Sequence, residues 1–376
     1  MATPLRPIYS AMKSIKRLSL LGLTRLTTSA ARNIYDYMSV TYSISGLLVI
    51  LGLSGRYELA SDVAVAQGSV MATFYVMSGD ARHLILSERM KSSHILFIRL
   101  LILLPLSVTA YFLCQVGGHM EFVIAGSVIA RRGAEWLSEV HLTEIERQGQ
   151  NWKGLPLQVL LFSLLVIQII YFDDFWLLWV WAFSPLFFSL KFLVGPEPCR
   201  FYGYLPHLAS TASIGLSIYM TRILIVEFAG KTTAGILFPA IMIGSFAGTL
   251  FANIVGPTLS RNNTIDSKYL SRILISWILL GLTLLIFAET FFQKSLGFSL
   301  IGGAVMVFAH KSRLSILKAR HTLGPDVLVH LIVVASIPAI YYLIGSEWLS
   351  SLYLWNAILA LVFYRGAENR WKFSEK

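Results

Sequence analysis

Acid is scarce in this chain and cysteine is scarcer. Only 20 of its 376 residues are Asp or Glu, and only 2 are Cys. Charged residues make up 14%, against roughly 25% in a soluble domain. Cys114 and Cys199 give neither a disulfide framework nor a metal-binding spacing, and they are expected at opposite faces of a membrane. No P-loop, HExxH or GxSxG pattern occurs, so the sequence carries no signature of a nucleotide-driven pump, a zinc protease or an α/β-hydrolase. The chain is read as a non-enzyme without a cofactor. Transport by such a chain runs down a gradient or couples to H⁺ or Na⁺, and the driving ion stays open.

What is abundant is apolar. Hydrophobic residues reach 56% and the mean hydropathy is +0.67. A hydrocarbon core about 30 Å thick takes ~20 helical residues to cross. Runs near that length recur, and the chain reads as an all-α polytopic membrane protein with about 12 transmembrane helices. The expected spans are 37–54, 60–77, 94–114, 120–140, 156–172, 174–194, 205–229, 234–256, 270–290, 298–317, 326–345 and 348–365. They divide into a six-helix lobe at 37–194, a connection at 195–204 and a second six-helix lobe at 205–365. Residues 1–36 form a basic cytoplasmic segment that faces membrane lipids, and 366–376 a cytoplasmic tail. Val194-Gly195-Pro196-Glu197-Pro198 supplies the break between lobes.

The basic residues set the orientation. With the N-terminus inside, and with Arg272 and Arg365 at the cytoplasmic ends of their spans counted as cytoplasmic, 21 of the 31 Lys and Arg fall inside, 3 fall outside (Arg56, Lys231, Lys294) and 7 lie within spans. That bias places both ends in the cytoplasm and requires an even number of spans. The net charge of +11 therefore reports cytoplasmic loops, not nucleic-acid binding. A shift of 175 residues aligns Gly55 with Gly230, Ala72 with Ala247, Ser92 with Ser267 and Gly149 with Gly324. This hints at a duplication of six spans, whose halves share one orientation about an axis along the membrane normal.

The chain is organised around residues 205–258, read as two spans joined by the turn Lys231-Thr232-Thr233. Arg222 sits inside the first of them. A charge inside a span is costly and faces protein, water or a ligand. The other embedded cations are Arg99, Arg131, Arg132, Lys191, Lys311 and Arg313, with His310 beside the last two. Arg131, Glu135 and Glu139 stand four apart and share a helix face, with Arg132 three before Glu135. They either pair locally or line a wet cavity. His310, Lys311 and Arg313 have no acid between Gly297 and Gly324, so they need a distant partner, a lumen or a route to the cytoplasmic surface. Arg99 lies near a span end, where snorkelling serves it. Asp62 and Glu289 read as solvated outer ends. Glu135, Glu139 and Glu227 are the candidate ion-coupling acids. Basic residues outnumber acids in the spans, and a lumen of that sign suits an anionic cargo such as a diphosphate.

The stretch TRILIVEFAGKTTAGILFPAIMIGSFAGTLFANIVGPTLSR resembles the corresponding spans of polysaccharide (O-antigen type) flippases. These belong to the multidrug/oligosaccharidyl-lipid/polysaccharide exporter superfamily. The likeness rests on Arg222, Gly230, Gly235 and Pro257, and on Gly55-Arg56-Tyr57-Glu58-Leu59-Ala60 at the start of span 2. The resemblance implies two lobes in the bacterial inner membrane that alternate access and flip an undecaprenyl-diphosphate-linked glycan. It implies a cationic lumen, for which Arg222, Arg131, Arg132, His310, Lys311, Arg313 and Arg99 are the candidates. A polysaccharide polymerase and glycosyltransferases would be its partners. A multidrug antiporter needs an acidic cavity, and a polysaccharide-assembly enzyme needs a large outer loop. The sequence favours neither.

Overall fold

Apolar runs in a membrane become helices, because no water is present to satisfy exposed backbone groups. The computed structural model of the chain follows that rule. It describes residues 39–189 (apart from 41, 79–80, 87, 89, 119, 151 and 172–175), then 197, 205–252, 267–319 and 323–374. The basic N-terminal segment, Lys191, Cys199, Pro257 and all of the interlobe connection except Glu197 lie outside the described residues. Among the described residues there are helices and no strand.

The elements are α1 (Ser43–Leu53), α2 (Tyr57–Val70), α3 (Ala81–Leu86), α4 (Ser92–Val116), α5 (Phe122–Arg147), α6 (Leu155–Tyr171) and α7 (Leu177–Phe183). Then come α8 (Leu205–Leu250), α9 (Ser267–Ile286), α10 (Phe291–Ala319), α11 (Leu323–Ala339) and α12 (Leu352–Ser374). Short π and 3-10 turns extend α2 to Ser78, α7 to Phe188 and α11 to Ile344. Among the described residues, five stretches are long and apolar enough to cross a membrane: Ser92–Val116, Leu208–Leu250, Phe291–Leu317, Leu323–Ile344 and Ser346–Arg370. Ser43–Leu53, Leu155–Tyr171, Leu177–Phe187 and Leu274–Ile286 are shorter apolar helices. Exposed apolar stripes match this environment. Leu101, Leu104, Val108 and Phe112 run along α4, and Ile275, Leu279, Leu282 and Ile286 along α9. Each set recurs every three or four residues, the spacing of one helical face.

The long helix α8 is two arms. Gly230 takes φ 79° and ψ 162°, a conformation that glycine reaches without a side-chain clash. The reversal is therefore at Gly230 alone; Lys231, Thr232 and Thr233, expected as the turn, are already helical. The Arg222 guanidinium lies 5.9 Å from the Phe238 ring. These residues are each eight from Gly230, so the arms fold back on each other. α1 and α2 make a matching hairpin around Gly55, at φ 80°, with Gln67 donating to Ser45 at 2.9 Å.

The two hairpins pack side by side. Along α2, Val76 O accepts from Thr211 at 2.7 Å, and Gly68 faces Tyr219. Numbers rise on α2 as they fall on α8, so these arms are antiparallel. The other arm follows α1, with Gly52 against Pro239 and the Tyr42 and Phe246 rings 5.9 Å apart. At Gly235 an added Cβ would lie 1.8 Å from the Tyr57 carbonyl oxygen, so only glycine permits that approach. The largest buried cluster spans this seam and includes Leu47, Leu51, Val63, Trp136, Leu237 and Phe238. Met306, Val329, Ala357 and Tyr364 belong to a second cluster among α10, α11 and α12.

Candidate functional site

The embedded charges divide into braces within one half and contacts between halves. The strongest brace centres on Arg131, which is fully buried. Its Nε donates to Glu135 at 2.8 Å. Nη1 donates to Gln158 Oε1, the Trp181 carbonyl and Ser184 Oγ at 3.1, 2.7 and 3.0 Å. Nη2 donates to the Val40 carbonyl at 3.2 Å, and the guanidinium covers the Trp181 ring at 4.7 Å. Ser43 and Arg132 complete the shell of Glu135 at 2.9 and 3.4 Å. The i, i+4 spacing read from the sequence is therefore a local ion pair, and the rest of the network ties α5 to α1, α6 and α7.

Arg99 is also buried rather than snorkelling. It donates to the Trp136 carbonyl, pairs with Glu139 at 3.0 Å and lies over the Trp136 ring at 4.8 Å. Glu135 and Glu139, the proposed coupling acids, are thus both engaged by arginine. Glu227 is exposed.

In the second half Arg313 meets an acid that its own helix lacks. Asp326 on α11 is 0% exposed. It accepts from Arg313 Nε and Nη2 at 3.0 Å each, from Ser210 and from Tyr364. The nearby His330 shares a hydrogen bond with Ser217 at 2.9 Å. Asp326 stands two residues beyond the acid-free interval, and the apolar helix carrying it gave no sign of which neighbour it would face. Of the two residues beside Arg313, His310 is half-buried and Lys311 exposed. At the loop end of the first half, Arg82 and Glu146 pair at 2.8 Å. The hydrogen bond from Arg147 holds the Glu144 carboxyl below its ordinary pKa.

Arg222 differs from all of these. It is 5% exposed and sits where the hairpins meet. It donates to the Ala64 carbonyl and to Gln67 Oε1 at 2.9 Å, both across the seam. Among the described residues no carboxylate pairs with it. A buried guanidinium held by neutral acceptors keeps its charge uncompensated, which is the condition for attracting an anion. The chain matches no family model, no curated protein and no solved structure. Inference about function therefore rests on this site and on the sequence. Around Arg222 the seam also holds Lys231 and Asp62, paired at 2.8 Å, which the sequence read as unconnected ends. The structure brings Arg222 together with Gln67 and Phe238. It places Arg131 and Arg132, Arg99, and Arg313 at separate points in the two halves.

Proposed function

We propose that this protein is a transporter that flips a polyprenyl-diphosphate-linked oligosaccharide across the inner membrane, for assembly of a cell-surface polysaccharide. The observation that carries the reading is Arg222, a buried cation without an acidic partner at the junction of two helical hairpins. A diphosphate cannot cross hydrocarbon alone, and a guanidinium offers it the bidentate partner that water would otherwise replace. Arg131, Arg132, Arg99 and Arg313 serve this function as braces, since each has an acid beside it. The cationic surface is thus narrower than residue counting implies, and centres on one position.

The reading takes the chain as twelve spans in two six-helix lobes with both ends in the cytoplasm. Support comes from the paired hairpins, whose glycine tips stand 175 residues apart and share a positive φ, and from the basic-residue bias. The hairpins separate at one end and then at the other, exposing Arg222 to each side in turn.

The test is binding and transport in proteoliposomes with a fluorescent polyprenyl-diphosphate sugar. Arg222→Met should abolish transport and weaken binding at least tenfold, whereas Lys311→Met should change neither by more than about twofold. Equal binding by the wild type and Arg222→Met would reject the reading.

A further inference from the structure

We propose that Asp62 and Lys231 form a releasable latch that closes the two hairpins at their tips, and that opening this latch exposes Arg222 to the outer side. The direction of the opening and the role of Arg222 rest on the flippase reading; the latch itself is a property of the seam.

Its position comes first. Lys231 follows the Gly230 tip, and Asp62 lies two turns into α2, so their 2.8 Å pair joins one half of the chain to the other. Lys231 Nζ also reaches the Gly118 carbonyl between α4 and α5 at 3.5 Å. Arg222 lies eight residues before the Gly230 tip, or about 12 Å down its own arm at 1.5 Å per residue.

Chemistry separates this pair from the braces. Arg131 and Glu135 are 0% and 1% exposed, so parting them would strand charge in a dry interior. Lys231 and Asp62 are half-buried, at 38% and 24% exposed; water reaches both, so parting them costs less than parting a dry pair. The deeper contacts across the seam share this property. Arg222 uses the Ala64 carbonyl and Gln67, and Thr211 uses the Val76 carbonyl. Every acceptor is neutral, so separation leaves no carboxylate unpaired.

Shape agrees with release. Gly52, Gly68, Gly215 and Gly235 bring backbone and side chain into close contact across the seam, so part of the contact is backbone approach rather than interlocked side chains. At both tips, Gly55 and Gly230, an added Cβ would meet nothing within 4 Å. The tips have room to move, and the latch bridges the seam beside them.

The experiment reads access from the outer side. Full-length protein with Cys114→Ser, Cys199→Ser and Gln67→Cys is labelled in oriented vesicles with a membrane-impermeant maleimide. Gln67 lies five residues below Asp62 on α2, beside Arg222. Adding Asp62→Asn or Lys231→Gln should speed labelling about two- to fivefold, the change in population expected from losing an exposed pair. The exchange Asp62→Lys with Lys231→Asp should restore the slow rate, which a merely damaged fold would not do. Unchanged labelling in both single variants, or an exchange variant that labels as fast as they do, overturns the latch. A second arm adds the polyprenyl-diphosphate sugar. If labelling follows the latch variants but ignores the sugar, the latch stands and the flippase reading fails. In a Cys114→Ser, Cys199→Ser background, Asp62→Cys with Lys231→Cys, joined by a bis-methanethiosulfonate cross-linker that spans the former lysine side chain, should stop transport until reduced; transport continuing through the cross-linked protein also overturns the latch.

Discussion

Arg131 and Arg222 are the same residue type at similar burial, yet their substitutions should have opposite signatures. Arg131 compensates Glu135 and holds four backbone or side-chain acceptors from other elements. Arg131→Met leaves Glu135 with the Ser43 hydroxyl and, as its cation, only the longer contact to Arg132, and should destabilise the protein by about 3–5 kcal/mol. A fall in the thermal unfolding midpoint in detergent checks this. Arg222 compensates no acid, so Arg222→Met should move that midpoint far less while removing transport. A third test addresses Asp326. Tyr364→Phe removes one of its donors and should cost about 1–3 kcal/mol, since a buried acceptor loses a partner. How legible these sites are depends on where the partner lies. Arg131–Glu135 is visible in the sequence because the two are four apart on one helix. Arg99–Glu139 and Arg313–Asp326 are not, because each joins two helices whose relative rotation is set by packing.

At the scale of elements, the sequence marks the apolar runs well and their ends less well. Span 4 was expected to stop at 140, but α5 continues to Arg147, where Glu144 and Arg147 interact on the exposed turn. Span 10 was expected to begin at 298, but α10 begins at Phe291. Hydropathy reports where lipid is, whereas a helix continues as long as its hydrogen bonds and caps allow. The reversal at Gly230 shows the same limit: Lys231-Thr232-Thr233 is polar and reads as a turn, but the backbone turns where a positive φ is free. Gly230→Ala should therefore cost about 1–3 kcal/mol from the positive-φ, extended conformation alone, with no clash. Gly235→Val makes the contrasting case. Its Cβ would enter the Tyr57 carbonyl, so the hairpins must part at the tip end. The expected result is overpacking of about 1–3 kcal/mol together with faster outer-side labelling at position 67. Gly230→Ala should leave that labelling slow.

For the whole molecule, the arrangement of interactions suggests how the chain can be divided. The Arg131 network and the Arg99–Glu139 pair lie wholly before residue 190, and the Arg313–Asp326–Tyr364 cluster wholly after 204. The halves meet through the hairpins, where contacts are glycine-rich, neutral or exposed. Each half thus carries its own buried electrostatics, which is what a duplicated unit would need to insert and fold by itself. The sequence holds only weak traces of this: a few identities at a shift of 175 among apolar residues that align by chance. Geometry adds one likeness: Gly55 and Gly230, 175 residues apart, both take a positive φ at hairpin tips. Two co-expressed fragments, 1–199 and 200–376, should therefore insert and copurify through the seam. On the proposed twelve-span reading each fragment holds an even number of spans, so both keep their ends on one side of the membrane. Thr211→Val and Gly235→Val target the seam without touching either buried network, and each should weaken copurification while leaving the separate fragments folded. Fragments that accumulate but never associate would show that the covalent connection, rather than the hairpin seam, holds the halves together.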